Sequence, residues 1–340
     1  MPQTLALYKR QPLVAFLLSA ILPGLGQIYN GELNKAAWFL LIFTCLSVPA
    51  LGFSLLHLPA AWGIWAVIVF SGLSSLVWLV NIIQAFRSAY RQPAQPLRSW
   101  QGFGIYLLVA LVVLSLFVPW LSQTVRSRWV DMYLIPSASM EPNLIAGDYI
   151  LADMRYNCPT CDFAVKRGDI AIFVYPNDRT IRYVKRVIGL PGDRVQVNGS
   201  EVRVNDKVLS QPPLAQGDMD VVQESDEGNS WIVVWKDRNK EKNTKVDVKV
   251  PMGEIFVMGD NRTNSNDSRV LGTIALEDVF GRARQILVSY NKEKHILLEG
   301  RSGTALHPSA VHGTWTDWLE KVDPLLTVGG GGDSSKVLGN

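Results

Sequence analysis

The sequence predicts an N-terminal α-helical transmembrane region followed by a mostly antiparallel β domain, and three observations carry that prediction. Residues 12–122 hold long, uncharged apolar stretches. Residues 130–290 hold short β-branched or alternating runs separated by turn dipeptides, with no long amphipathic helix among them. The chain of 340 residues has room for two or three units, and its 48% hydrophobic content is spread unevenly among them.

The apolar segments fall at about 13–29, 36–56, 61–86 and 103–121. A helix needs ~20 apolar residues to cross the hydrocarbon core, which the last three segments supply. The first is shorter and interrupted by Pro23-Gly24-Leu25-Gly26, so it spans, tilts or re-enters. Further hydrophobic segments follow it, which argues against a cleaved targeting peptide. The connection after the third segment carries Arg87, Arg91 and Arg98 without an acidic residue, and the positive-inside rule makes it cytoplasmic. The 57–60 link has no Lys or Arg, in agreement, so everything after residue 121 falls on the far side. Lys9 and Arg10 fit this orientation best if the first segment does not fully cross. The stretch 23–36 resembles the turn of small two-helix membrane domains; a hairpin turn between helices is its simpler reading.

The β domain is read from its turns. The runs 195–197, 202–204 and 231–235 are alternating or β-branched, and Asn198-Gly199 and Asn205-Asp206 stand between such runs as hairpin signals. Residues 170–175 and 254–258 read as buried strands, and two coiled sheets are expected. The expected organisation is a membrane region over 1–100, an anchor helix over 101–123, a β-rich domain over 124–292 with an inserted lobe at about 205–250, and a tail over 293–340. The tail holds a glycine-rich linker at 328–335 and a short amphipathic stretch at 315–321, and no chemistry is assigned to it.

Composition removes several function classes. A net charge of +3 without a basic stripe gives no support for nucleic acid. Cys45 lies in an apolar run and is expected to be an inert packed thiol. Cys158 and Cys161 form Cys-Pro-Thr-Cys in a polar loop; without a second Cys/His cluster they read as a local disulfide in an oxidising compartment, not a zinc site. The 4 histidines are His57, His295, His307 and His312, none within the β domain proper. Ser-His-Asp, Cys-His and His-based zinc hydrolysis are thereby disfavoured, and no metal or cofactor is expected. Serine activated by lysine remains.

A lysine acts as a base only when neutral, and burial can lower its pKa by ~3–5 units. On an extended strand Ile181, Tyr183, Lys185 and Val187 share one face, while Arg182, Val184, Arg186 and Ile188 take the other. Lys185 thus sits between an aromatic and a β-branched residue. Ser139 precedes Met140-Glu141-Pro142, where a turn can present its Oγ, and Ser137 is placed to donate to a developing oxyanion beside the Ser139 N–H.

Pro136-Ser137-Ala138-Ser139-Met140, Arg167-Gly168-Asp169-Ile170, the run 183–193 and the run 259–269 resemble, in order, the signature boxes of type I signal peptidases. The resemblance covers the chain from the last apolar segment to about Tyr290, and it implies that family's coiled β-sheets. Ser139 matches the acylating serine, Lys185 the general base and Ser137 the oxyanion donor. Ser265 matches a serine that hydrogen-bonds and orients the lysine. Asp267 matches an acidic residue that orders the site by pairing with Arg269. Ala138 stands where many members have glycine, and Asn143 where threonine is common; neither change is expected to touch the chemistry.

The resemblance further implies removal of N-terminal signal peptides from exported preproteins, with cleavage after small residues at the first and third positions before the bond. An extended substrate could add as a strand beside 132–137 and 182–185, with Ile135, Pro136 and Val184 lining shallow pockets. The implied location is a bacterial cytoplasmic (inner) membrane, multi-pass, with the catalytic domain on the extracytoplasmic, periplasmic side. Partners would be preproteins, membrane lipid and, as a candidate, the secretion translocon, with Trp120 and Trp129 marking the interface. The alternatives are a specialised peptidase maturing one pilin or conjugation substrate, and a catalytically silent membrane scaffold. A self-cleaving repressor-type Ser/Lys protease is disfavoured by the apolar spans.

Overall fold

Pro23 and Gly24 divide the first apolar segment in two. In the computed structural model α1 (Pro12–Ile21) ends before them and α2 (Leu25–Asn30) begins after. The structure describes residues 7–58, 62–96, 101–157, 164–210, 220–236, 245–291, 296–298 and 300–306. It separates into two units, Met1–Asp131 and Met132–Asn340.

In the first unit, the 10 residues of α1 rise about 15 Å, half of a hydrocarbon core of roughly 30 Å. Their path is fixed against a long helix that follows α3 (Leu33–Cys45) and α4 (Leu51–His57), namely α5 (Gly63–Arg91). Ala15 packs on Ala85 and Ala89, and Trp78 Nε1 donates to the Ser19 carbonyl at 3.0 Å. The chain then turns back: the Gly24 N–H donates to Asn81 Oδ1 at 3.0 Å, and Asn30 Nδ2 to the Ala85 carbonyl at 2.8 Å. The segment therefore runs along α5 and turns back beside it. A Cβ at Gly26 would lie 2.1 Å from Ser19 Oγ and 2.3 Å from the Ala15 carbonyl, so α2 can approach α1 only through glycine. Strand β1 (Leu7–Tyr8) pairs with β2 (Gln95–Pro96), setting the N-terminal arm beside the chain that leaves α5.

α3 continues through a π-helical stretch, Leu46–Ala50, into α4, and α6 (Phe103–Val112) likewise through Val113–Phe117 into α7 (Val118–Arg128). Among the described residues three helices are long and apolar enough to cross a membrane: Leu33–His57, Trp65–Arg91 and Phe103–Arg128. The last runs on past residue 123. Trp38, Leu41, Trp65, Ile68, Leu108 and Leu116 are exposed on these helices, an apolar surface suited to lipid. Cys45 is also exposed, with no element over its side chain among the described residues; the expectation of a packed thiol fails.

The β-rich part is built from β3 (Val130–Leu134), β4 (Asp148–Asp153), β5 (Ile170–Val174), β6 (Arg182–Gly189), β7 (Arg194–Asn198), β8 (Glu201–Val204) and β9 (Lys207–Val208). It continues with β10 (Asp220–Asp226), β11 (Asn229–Trp235), β12 (Lys245–Lys249) and β13 (Glu254–Met258). A short helix, α8 (Ser268–Leu271), then precedes β14 (Ile274–Ala275), β15 (Val279–Asn291) and β16 (Ile296–Leu297). The larger sheet has the order β14-β13-β6-β5-β15-β4-β3, with β16 added to β15, and the smaller the order β12-β7-β8-β9. The two expected hairpins form. β7 and β8 meet around Gly199, and β8 and β9 turn at Asn205 and Asp206, both at positive φ (51° and 65°), as a type I′ turn requires.

Part of the expected lobe is a separate hairpin, β10–β11, whose turn is Glu227-Gly228. Trp231, Val233 and Trp235 of β11 share a core with Val195, Val197 and Phe256, so the hairpin packs onto the sheets. A second core joins Ile135, Met140 and Leu144 to β4, β5 and β15. The large sheet curls until its edge strand faces its centre: Arg182 Nη1 of β6 donates to the Tyr133 hydroxyl of β3 at 3.1 Å.

Candidate active site

The segment after β3 carries Ser139 into that curl. Pro136 offers no N–H for sheet pairing, Ser137 is extended, and Ala138–Met140 form one 3₁₀ turn. Met140 is buried in the core and pins the turn there, an anchor worth about 1.5–3 kcal/mol for a fully buried methionine. A loop from the far side of the domain meets it: the Asn261 N–H donates to the Ser139 carbonyl, and Asn261 Nδ2 to the Ala138 carbonyl, each at 3.1 Å.

Lys185 comes from β6, opposite Ala171 of β5. Its side chain is 4% exposed, and Nζ lies 5.3 Å from the centre of the Tyr183 ring on the face the alternation assigned. Nζ donates to Ser139 Oγ at 2.7 Å. Burial lowers the lysine pKa from 10.5 to about 8; Asp267 and Asp260 pull it back up, and Arg269 pushes it further down. The two side chains thus stand at hydrogen-bond distance, with the lysine able to be neutral near physiological pH. Ser137 Oγ is 3.3 Å from Ser139 Oγ.

Asp267 is fully buried, which alone would raise its pKa, but the paired Arg269 guanidinium outweighs this and holds it low. Arg269 Nε and Nη2 grip the carboxylate at 2.8 Å each, and Asp267 Oδ2 also accepts the Gly259 N–H at 2.9 Å. The expected Asp267–Arg269 pair is therefore formed, and it fixes the 259–267 loop at both ends. Ser265 departs from expectation. Its Oγ is buried near enough to Asp267 to help hold that charge, yet it makes no hydrogen bond of ordinary geometry, and none reaches Lys185. It is packed instead against Gly259, where a Cβ would lie 2.2 Å from Ser265 Oγ and 2.5 Å from the Ser139 carbonyl. The loop's path, not a bond to the lysine, sets its position.

The three pocket candidates divide. Ile135 is buried and Val184 half-buried in the same core cluster, while Pro136 is exposed. Cys158 and Cys161 lie outside the described residues, as does most of the 293–340 tail. Among the described residues no group of three His, Cys, Asp or Glu side chains could hold a metal ion.

Several supporting residues have no counterpart in the sequence reading. Arg186, on the opposite face of β6 from Lys185, grips Asp260 with two bonds of 2.7 Å and donates to the Gly168 carbonyl at 2.6 Å. Arg262 and Glu224 form a fully buried pair, with Arg262 Nη2 to Glu224 Oε2 at 2.6 Å. Because Glu224 belongs to β10, this pair ties the separate hairpin to the 259–267 loop. Val234 and its neighbours add two backbone bonds of 2.9 Å, Val234 N–H to Asp260 O and Arg262 N–H to Val234 O. Arg186, Asp260 and Arg262 lie inside the quoted runs 183–193 and 259–269, whereas Glu224 lies outside both.

The family described as signal peptidase, peptidase S26, matches residues 105–288. A signal peptidase I of Pseudomonas fluorescens is 34% identical over 197 residues, covering 50% of this chain and 68% of that one. One from Rickettsia felis is 28% identical over 232 residues, covering 56% and 79%. A crystal structure of a signal peptidase I from Enterococcus faecalis, 28% identical, aligns with 35% of this chain and 96% of its own, at a TM-score of 0.25.

Proposed function

We propose, from the premise that the chain belongs to the signal peptidase family, peptidase S26, and is a serine protease of the signal peptidase I type, that Ser139 and Lys185 are its catalytic dyad. The enzyme removes signal peptides, and the 2.7 Å contact between a buried lysine and Ser139 Oγ is the observation that carries the reading. Neutral Lys185 takes the Ser139 proton as Oγ attacks the scissile carbonyl carbon. The resulting oxyanion is received by the Ser137 hydroxyl and the Ser139 N–H. Collapse breaks the C–N bond, Lys185 returns its proton to the leaving amine, and an acyl-enzyme ester remains. Water, deprotonated by Lys185, then hydrolyses the ester and frees Ser139. Asp267 and Arg269 hold the loop beneath the dyad, and Ser265 fills the space under Gly259.

One strand edge suits an extended substrate. β13 pairs with β6 only from Arg186 onward, leaving 182–185 open on that side among the described residues. Small residues before the bond would fit because Ile135 and Val184 are already packed in the core and leave little depth. For the membrane region the proposal is three crossings plus a re-entrant α1–α2, with the β domain extracytoplasmic. The β1–β2 pairing supports it by setting Lys9 and Arg10 on the same side as Arg87 and Arg91.

The test is N-terminal sequencing of preprotein products from membranes carrying wild-type, Ser139→Ala or Lys185→Ala protein. Both variants should insert normally and leave the preprotein uncut. Near-full cleavage by Lys185→Ala would rule out the dyad.

A further inference from the structure

Residues 296–298 and 300–306 lie beyond the 105–288 stretch that the family matches, yet they are woven into the β domain. β16 extends β15 through Tyr290 and Leu297. Three more backbone bonds continue the strap: Ile286 N–H to Thr304 O at 2.9 Å, Gly303 N–H to Ile286 O at 2.7 Å, and Leu306 N–H to Arg284 O at 2.8 Å. Leu306 enters the core cluster that holds Met140.

The strap delivers Arg301 to a buried seat behind the serine turn. Its Nη2 donates to Asp148 Oδ2 at 2.6 Å and to the Asn143 carbonyl at 3.2 Å. Both acceptors define the chain that leaves Ser139. Asp148 Oδ2 also accepts the Ile145 N–H at 2.9 Å, and the Leu144 N–H returns to the Met140 carbonyl at 2.9 Å. From Asn143 the connection runs on to the base. Its Nδ2 donates to Asp260 Oδ2 and to the Ile232 carbonyl, each at 2.7 Å, and Asp260 holds Arg186, the neighbour of Lys185. The turn that carries the nucleophile and the strand that carries the base are therefore linked by charge-assisted bonds, and Arg301 closes the chain from outside.

We infer that Arg301 is a positioning residue for Ser139, acting through Asn143 and Asp148, and that residues 296–298 and 300–306 belong to the catalytic unit of this chain. Without Arg301 the fully buried Asp148 carboxylate loses its cation and the Asn143 carbonyl loses its donor. The 141–147 loop must then move to reach water or another donor, and the Oγ–Nζ distance moves with it. The inference rests on Ser139 being the nucleophile.

The test uses the full chain in detergent micelles and a serine-directed acylating probe, recording both the final extent of labelling and the rate constant of the labelled fraction. Arg301→Gln should label to the same extent as wild type but about ten- to a hundredfold more slowly. Arg301→Lys, which keeps a charge on Asp148 but not the planar fork, should fall between. Wild-type rate in Arg301→Gln overturns the inference, whether labelling is complete or reduced in extent, because the residue would then serve stability alone. Where Arg301→Gln does not fold, Arg301→Lys decides: a slowed rate at full extent supports the inference, and a wild-type rate overturns it. Ser139→Ala is the separate control, since its labelling would overturn the nucleophile assignment itself.

Discussion

A buried lysine held ready as a base should weaken the fold that holds it, and replacing Lys185 with methionine measures by how much. Its pKa falls from 10.5 to about 8 through burial. A difference of one pH unit corresponds to about 1.4 kcal/mol, so the folded protein loses roughly 3 kcal/mol relative to one with an ordinary lysine. Below pH 8 both folded and unfolded chains carry the proton, and the full loss is present. Between pH 8 and 10.5 the folded chain releases its proton while the unfolded chain keeps it, so wild-type stability rises with pH. Methionine has no proton to release. The advantage of Lys185→Met over wild type should therefore shrink by about 3 kcal/mol between pH 7 and pH 10.5. The hydrogen bond to Ser139 is lost in the variant at every pH and largely cancels from that difference. Equilibrium urea unfolding of both proteins in the same micelles, followed by tryptophan fluorescence at the two pH values, gives the number. A gap that stays constant, or widens with pH, would refute the claim that burial holds Lys185 near neutrality.

The rate of acylation should rise with pH to a half-maximum near 8 and fall about tenfold for each pH unit below it; a flat profile from neutral to acid pH removes lysine as the base. Ser137→Ala should lower kcat by about 10²–10³ with KM little changed, and an unaltered kcat in a preprotein cleavage assay would dismiss Ser137 as the oxyanion donor. Gly259→Ala should abolish probe labelling, because its Cβ would sit 2.2 Å from Ser265 Oγ and 2.5 Å from the Ser139 carbonyl; wild-type labelling would mean the loop can shift without disturbing the serine. Glu224→Gln leaves the buried Arg262 without its counter-charge and should cost about 3–5 kcal/mol in urea unfolding. A loss below about 1 kcal/mol would show that the hairpin is not held to the loop by this pair.

Much of this arrangement is legible in the sequence because it is decided locally. Turn dipeptides at Gly199 and at Asn205-Asp206 announce their hairpins, since few residues tolerate positive φ. The period of two along β6 assigns Lys185 to the face of Tyr183 and Val187, and burial of that face is enough to predict a depressed pKa. The break at Pro23-Gly24 marks where α1 must stop, although the pairing with α5 that turns the chain back is a tertiary contact. β10 escapes the alternation argument for a related reason. Its sequence Asp220-Val-Val-Gln-Glu-Ser-Asp226 reads as a charged lobe, and Glu224 is buried only because Arg262 arrives from a loop 38 residues away.

That distinction also explains why the site's support was harder to read than its chemistry. The proposed dyad needs one serine and one neutral lysine; missing histidines and strand period make Ser139 and Lys185 candidates, and the resemblance to the signal-peptidase boxes singles them out. How neutral the lysine is depends on which charges surround it, and that depends on how one loop travels. Gly259 lets the loop pass close under Ser139, and the pass brings Asp260 and Asp267 toward Lys185, each favouring its protonated form. Each carboxylate is in turn claimed by an arginine, Asp260 by Arg186 and Asp267 by Arg269. The arginines limit how far the carboxylates can restore the lysine's charge, and Arg269 lowers its pKa directly. Burial therefore remains the largest influence on Lys185, and the pairing that holds the loop also favours the neutral lysine.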